Sequence, residues 1–381
     1  MKSKTIGLLA GITIVCIALA MFMNREPATS IPQSGQLLFP DMMSIVNDVN
    51  QVVIETHDQT VTLERGDQTW GVKEKAGYRA DVEKVKKAIV GFMDLRIREP
   101  KTKTPELYER LGLQDKDQEG SPSKLVTMKT TDNPEAIKLI VGNQKPAKGN
   151  PRLSDIYVRK PDDPQTWLVT GNLPLETVTS EWLDKEVIAL PTKRVRQVRV
   201  THPTGETLHL EKAKPEDLDF DMGVIPSGFK VTSPFNVNNV VGTLAQLELE
   251  DVKNQKAIDF KANPGVSAIL ETFDGLRLHV HTTKLDEQVW GKFSAEFDAS
   301  LIQISEPDPK PEASKTPDGE DVAMDGGDVK APEKEPLLKK PDEVQQEVEA
   351  LNQRVKNWAY ALPSFRVENF SKLKKDLISK E

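Results

Sequence analysis

The sequence predicts an α+β fold, with internally duplicated mixed strand/helix lobes after one N-terminal transmembrane helix. Three observations carry this reading. Ile6 to Met23 is an 18-residue run without a charge. The stretches Val53–Leu63 and Val200–Leu210 share an alternating apolar pattern and are followed by the same order of elements. An acidic, proline-rich tract over 306–342 interrupts the second set and accounts for its greater length.

At about 1.5 Å rise per residue, a helix over the 18 residues 6–23 spans roughly 27 Å, against a hydrocarbon core of about 30 Å. Lys2, Lys4 and the terminal amine favour holding residues 1–5 in the cytoplasm, which sends the bulk of the chain outward. The competing reading is a cleaved signal peptide, because Ala18-Leu19-Ala20 has the small-x-small form a signal peptidase requires. Against it, the apolar run continues through Met21, Phe22 and Met23. Cys16 is the single cysteine and falls within the run, so the exported part can form neither a disulfide nor a thiolate metal site. The net charge of −8 disfavours nucleic acid as a partner.

Residues 24–45 contain three prolines and no clear period, and read as a tether. The first lobe covers 46–190. Its opening stretch, Val53–Leu63, and the opening of the second lobe, Val200–Leu210, align without a gap at an offset of 147. Each reads as a hairpin about a polar turn, Asp58-Gln59 in one and Pro203-Thr204-Gly205 in the other. A short strand follows in both, Trp70-Gly71-Val72 and Phe229-Lys230-Val231. A helix comes next. Val82, Val85, Ile89 and Phe92 recur at helical spacing after an Asp81 cap, and Val237, Val241, Leu244 and Leu247 do so after Ser233-Pro234. Further strands are expected at Leu125–Thr130, Ala136–Val141, Asp155–Arg159 and Thr166–Thr170, and at Val266–Thr272, Leu276–Thr283 and Val289–Phe297. A closing helix is expected around Trp182–Ile188 and again around Leu373–Ile378. The second lobe thus covers 191–305 and resumes over 343–381.

The tract between them, 306–342, has seven prolines, 11 acidic against 6 basic residues and no aromatic residue. It cannot bury enough apolar surface to offset the entropy of ordering, so disorder is expected. A charged helix over Glu343–Asn357 should follow it.

Several segments carry a family resemblance: the Trp70-x-Val strand before a helix, Pro105-Glu106-Leu107-Tyr108-Glu109-Arg110-Leu111-Gly112-Leu113, Asp155-Ile156-Tyr157-Val158-Arg159, Trp167-Leu168-Val169, and Trp358-Ala359-Tyr360-Ala361-Leu362-Pro363-Ser364-Phe365. Together, over roughly 46–381, these resemble the family called domain of unknown function 4340. The resemblance implies a membrane-anchored protein with an extracytoplasmic α+β domain, often accompanying ABC-type transport systems similar to those of gliding motility. It implies no catalytic or binding residues.

The residues themselves offer few sites. There is no His-Glu-x-x-His, Gly-x-Ser-x-Gly or phosphate-loop pattern. Gly142 to Gly149 has its glycines and lysines in the wrong order for a phosphate loop and reads as an ordinary loop. His279 and His281 are the best metal candidates, since strand alternation puts both on one face and His202 and His209 lie in the same half. A polar strand face would look the same, and no cofactor is expected. Lys193, Arg194, Arg196 and Arg199 form a basic cluster, either a solvated strand edge or a contact for anionic lipid or an acidic partner. Trp70, Trp167, Trp182 and Trp358 occupy matched places and suggest packing rather than ligand stacking.

The expectation is a non-enzymatic, extracytoplasmic binding or adaptor protein, anchored in lipid through 6–23 and accessory to an ABC-type membrane partner. The alternatives are an uncharacterised hydrolase or metal-dependent enzyme built on the histidines, and a structural spacer of the cell envelope.

Overall fold

Val49, Val52 and Ile54 are buried while Val53 and Glu55 are only half-buried. That alternation is what a strand with one face in a core requires. The computed structural model describes residues 34–67, 69–302 and 338–381. The expected membrane helix over 6–23 and most of the expected disordered tract lie outside them. Among the described residues no helix is long and apolar enough to cross a membrane. The fold is mixed α+β with more strand than helix, and it divides into two compact units between Trp182 and Leu183.

The first unit is built on one antiparallel sheet. Its strands are β1 (Val49–Glu55), β2 (Thr60–Arg65), β3 (Trp70–Val72), β4 (Tyr78–Arg79), β5 (Arg96–Pro100), β6 (Lys124–Thr130), β7 (Ile137–Ala147), β8 (Asn150–Arg159) and β9 (Thr166–Gly171). They lie in the order β4-β3-β2-β1-β6-β7-β8-β9-β5. One turn of helix, α1 (Met42–Ile45), precedes them. Helix α2 (Val82–Met93) starts at Asp81, whose side chain accepts the Lys84 N–H at 3.1 Å, and buries Val85, Ala88, Ile89 and Phe92. A second short helix, α3 (Tyr108–Leu111), lies between β5 and β6.

Residues 34–45 are not a tether. Gly35 and Leu38 donate to Ile97 and Leu95, Ile97 donates to Gln36, and Leu38, Phe39 and Met42 are buried. This segment covers the open edge of β5, which would otherwise present unpaired backbone groups.

The second unit contains β10 (Glu186–Ala189), β11 (Val195–Thr201), β12 (Thr207–Glu211), β13 (Phe229–Val231), helix α4 (Pro234–Ala245), β14 (Gln246–Glu248), β15 (Asp251–Asn254), β16 (Pro264–Thr272), β17 (Leu276–Leu285) and β18 (Gln288–Phe297). After the undescribed stretch come α5 (Pro341–Val355), β19 (Trp358–Ala361), α6 (Ser364–Phe370) and β20 (Ile378–Lys380). The main sheet has the order β12-β11-β16-β17-β18-β19-β15. Without β3 and β4, the first sheet reads the same way: a hairpin, a strand beside it, a meander, and at the far edge the strand that follows the helix. Both hairpins carry a register shift at one place, Val49/Gln51 against β6 and Val195/Gln197 against β16.

Several expectations need correction. The two hairpins do not align at one offset. Leu63 and Leu210 are equivalent at 147, but buried Val52 and Ile54 answer to Val198 and Val200 at 146. The second turn is one residue longer, and in a strand one residue reverses the face. The closing helices are absent. Thr179–Trp182 and Lys374–Asp376 are single 3-10 turns, followed by the strands β10 and β20. Val187, Ile188 and Ile378 are β-branched, and the segments are too short to sustain a helix. Because β10 pairs with β14, the boundary falls near 182 rather than 190. The second lobe's actual last helix is α6, and α5 begins at Pro341, inside the expected disordered tract. Ser233 sits extended before α4 but makes no side-chain cap. Gly142 to Ala147 continues β7 instead of looping.

Two helix glycines differ in their surroundings. A Cβ at Gly91 in α2 would overlap the carbonyl oxygen of Asn172, whereas one at Gly242 in α4 meets nothing within 4 Å. Gly91→Ala should therefore lower stability by about 1–3 kcal/mol, and Gly242→Ala should raise it by about 0.5–1 kcal/mol. Urea midpoints of the two variants check both signs.

Candidate functional site

In the second sheet one face is apolar and the other polar. Ala268, Leu270, Leu278, Val280, Phe293 and Ala295 are buried on one side. Strand pairing then lines up the opposite residues in rows across the strands. Glu211, Gln197, Glu271, Arg277 and Glu296 form the first row, and His209, Arg199, Ile269, His279 and Ser294 the second. Thr207, Thr201, Ser267, His281 and Lys292 form the third.

A chain of hydrogen bonds runs along the first row from Gln197 to Glu296 and takes in His209 from the second. His209 Nε2 lies 3.2 Å from Gln197 Oε1, and the Gln197 amide donates to Glu271. Arg277 donates to Glu271 at 2.6 Å, to Glu296 at 2.8 Å and to Asp298 at 2.8 Å. Bonds to Glu296 and Glu271 raise the Arg277 pKa further above its already high value. His279 Nε2 approaches the same Glu296 oxygen at 3.3 Å, and the Arg277 and His279 bonds hold Glu296 below the usual carboxylate range.

His279 and His281 do share a face, as alternation requires, but they do different things. His279 joins the Glu296 pair, while His281 lines a separate cleft with His202. His209 is bonded away at Gln197. Among the described residues no three His, Cys, Asp or Glu side chains are grouped to hold a metal ion.

The basic cluster also divides. Lys193 and Arg199 are exposed and Arg196 is half-buried. Arg194 is buried at 2% exposure and faces no partner surface. Its Nε donates to Asp274 Oδ2 at 2.8 Å, and its two terminal nitrogens grip Glu347 at 3.0 and 2.8 Å. Thr272 Oγ1 donates to the other Asp274 oxygen at 2.5 Å, the Lys339 N–H to Asp274 at 3.0 Å, and Lys339 Nζ reaches Glu347 at 3.1 Å. Burial alone would raise both carboxyl pKa values, but these bonds outweigh it and hold both low.

The cleft beside the third row measures about 380 Å³. It lies against the Thr201–Pro203 turn, and Phe260, Lys261, Ser267, His281 and Lys292 line it.

The first unit shows what its sequence motifs are for. Arg159 is buried and donates to Asp115 Oδ1 at 2.6 Å, to the Pro161 carbonyl at 3.1 Å and to the Leu113 carbonyl at 3.3 Å. Its guanidinium also lies 4.7 Å from the Tyr108 ring centre, and the Tyr108 hydroxyl donates to the Pro164 carbonyl at 2.7 Å. Tyr108, Leu113 and Ile140 form a small core with Leu111 and Tyr157 against it. Asp155, at 3% exposure, accepts from Arg98 at 2.6 Å and Thr170 at 2.9 Å. Pro105–Leu113 and Asp155–Arg159 thus recognise each other. Trp70 and Trp182 are buried, and the Trp182 indole donates to the Glu176 carbonyl, as a packing role requires. Trp167 and Trp358 are only half-buried.

The family model for a domain of unknown function (DUF4340) matches residues 70–268, more than half of the chain, and the chain belongs to that family. The match is narrower than the expected 46–381 and leaves out Trp358–Phe365. No curated protein and no solved structure matches the chain.

Asp274, Glu271, Arg277, Glu347 and Lys292 were not legible as site residues. Their partners are set by strand register and, for Arg194 and Glu347, by a contact across 153 positions. The Arg194 cluster yields a pH prediction. Glu347 has a folded pKa below its unfolded value of about 4.3. Its contribution is fully present above that value and is lost as pH falls through the folded pKa. Glu347→Gln should therefore be less stable than wild type at pH 7, and the gap should narrow below about pH 4. Urea unfolding at a series of pH values reads this directly.

Proposed function

We propose that the chain is a membrane-anchored, extracytoplasmic, non-enzymatic binding or adaptor protein, accessory to an ABC-type transport system, and that its two units arose by internal duplication. The observation that carries a binding role over a catalytic one is the state of three carboxylates that arginines hold. Asp155, Asp274 and Glu347 each sit against a guanidinium that holds them ionised. A general acid or base needs a pKa near the working pH. These groups are driven the other way, and they tie strands and helices together.

The uncharged run over 6–23 with lysines before it supports the anchor and its orientation. The shared strand order and the register shift at matched places in both hairpins support duplication. The polar sheet face of the second unit, with exposed Arg199 at one side, supplies a surface for a polar partner.

An alkaline phosphatase fusion after Glu381 should be active only when exported, and the intact chain should sediment with membranes. Purification from mild detergent should bring a membrane protein with it in stoichiometric amount. A fusion active only in the cytoplasm, or a freely soluble chain without such a partner, contradicts the proposal.

A further inference from the structure

We propose that the cleft between the Thr201–Pro203 turn and strands β16–β18 of the second unit binds a phosphate group. The residues that line it include His202, Lys261, His281 and Lys292 and no aspartate or glutamate. In a chain of net charge −8 this is a local reversal of sign. Neither lysine ammonium has a carboxylate partner among the described residues. Lys292 Nζ instead lies 4.9 Å from the Phe260 ring centre, which restrains it at the cleft. His202 Nε2 is buried and has no hydrogen-bond partner.

The chemistry of the donors selects the ligand. No guanidinium lines the cleft, so the planar fork that suits a carboxylate is missing. Compact ammonium groups, imidazole nitrogens and the hydroxyls of Thr201 and Ser267 suit a tetrahedral anion approached from several sides. The backbone is shaped for it as well. Strand β16 bulges between Pro264 and Ser267, opposite Thr283 and His281, and the bulged residues line the cleft. Partial burial, then the charges of Lys292 and His279, push the His281 imidazole below its ordinary pKa, as expected beside unbalanced positive charge. At about 380 Å³ the cleft has room for a small phosphate ester or a phospholipid headgroup. The site stands apart from the membrane placement and the transporter partner, since it is read on the chain alone.

The test is NMR of the histidine side chains of the full chain in nonionic detergent micelles. One arm titrates inorganic phosphate, and the other adds phosphatidic acid to the micelles. The His202 and His281 signals should move saturably while His57 stays fixed, and Lys261→Gln/Lys292→Gln should weaken binding roughly tenfold or more. Movement with inorganic phosphate identifies a soluble phosphate-bearing ligand. Movement with phosphatidic acid alone identifies a lipid headgroup. If the double variant misfolds by circular dichroism, Lys261→Gln at its exposed position makes the comparison. No saturable movement in either arm, or equal affinity in a folded variant, overturns the proposal.

Discussion

A guanidinium buried among carboxylates sets the terms for the second unit. Arg194 immediately precedes β11, Asp274 sits in the turn between β16 and β17, and Glu347 lies on α5, beyond the undescribed stretch. Each charge is expensive to take out of water, and the expense is offset only when all three are in place. The cluster therefore does more than add stability. It specifies where the chain must return after residue 337, and Lys339 adds its own bonds to both carboxylates at that point. Strand β19 follows α5 and sits between β18 and the edge strand β15, whose partner in the sheet it is. Failure of the return would expose β15 and open the Trp290, Ala359 and Ala361 cluster.

The first unit solves a similar problem differently. Arg159 holds the Tyr108–Asp115 connection onto the end of β8 through a carboxylate, two carbonyls and a ring face. Gly142 lets that connection press close, since a Cβ there would overlap the carbonyl oxygen of Leu111. In both units, then, the buried ions are joints between distant segments. What remains for recognition is on the surface, and in the second unit it is a polar sheet face with an unpaired basic cleft at its edge.

Much of this was legible in the sequence. Apolar alternation located the hairpins and the long strands, and helical spacing located α2 and α4. It failed where length was short. The 182–188 and 373–378 segments carry apolar residues at helical spacing, but β-branching and a waiting partner strand decide in favour of strands. The ungapped hairpin alignment misplaced one face because turn length is invisible to a pattern match. The site was least legible. Four basic residues within 193–199 look alike in sequence, yet one is the buried centre of an ion cluster and another lies in the open. That difference comes from the register shift between Val195 and Gln197 and from partners up to 153 positions away. Likewise, His281 and Lys292 become neighbours only through the pairing of β17 with β18.

The claim that buried charge acts as a joint is most directly tested by a double-mutant cycle on urea unfolding, with Arg194→Met, Glu347→Leu and the pair. Arg194→Met leaves Glu347 without its guanidinium, and Glu347→Leu leaves the two terminal nitrogens of Arg194 without their carboxylate, so the pair should cost less than the sum, with a coupling of about 2 kcal/mol. Additive effects, with a coupling near zero, would contradict the account.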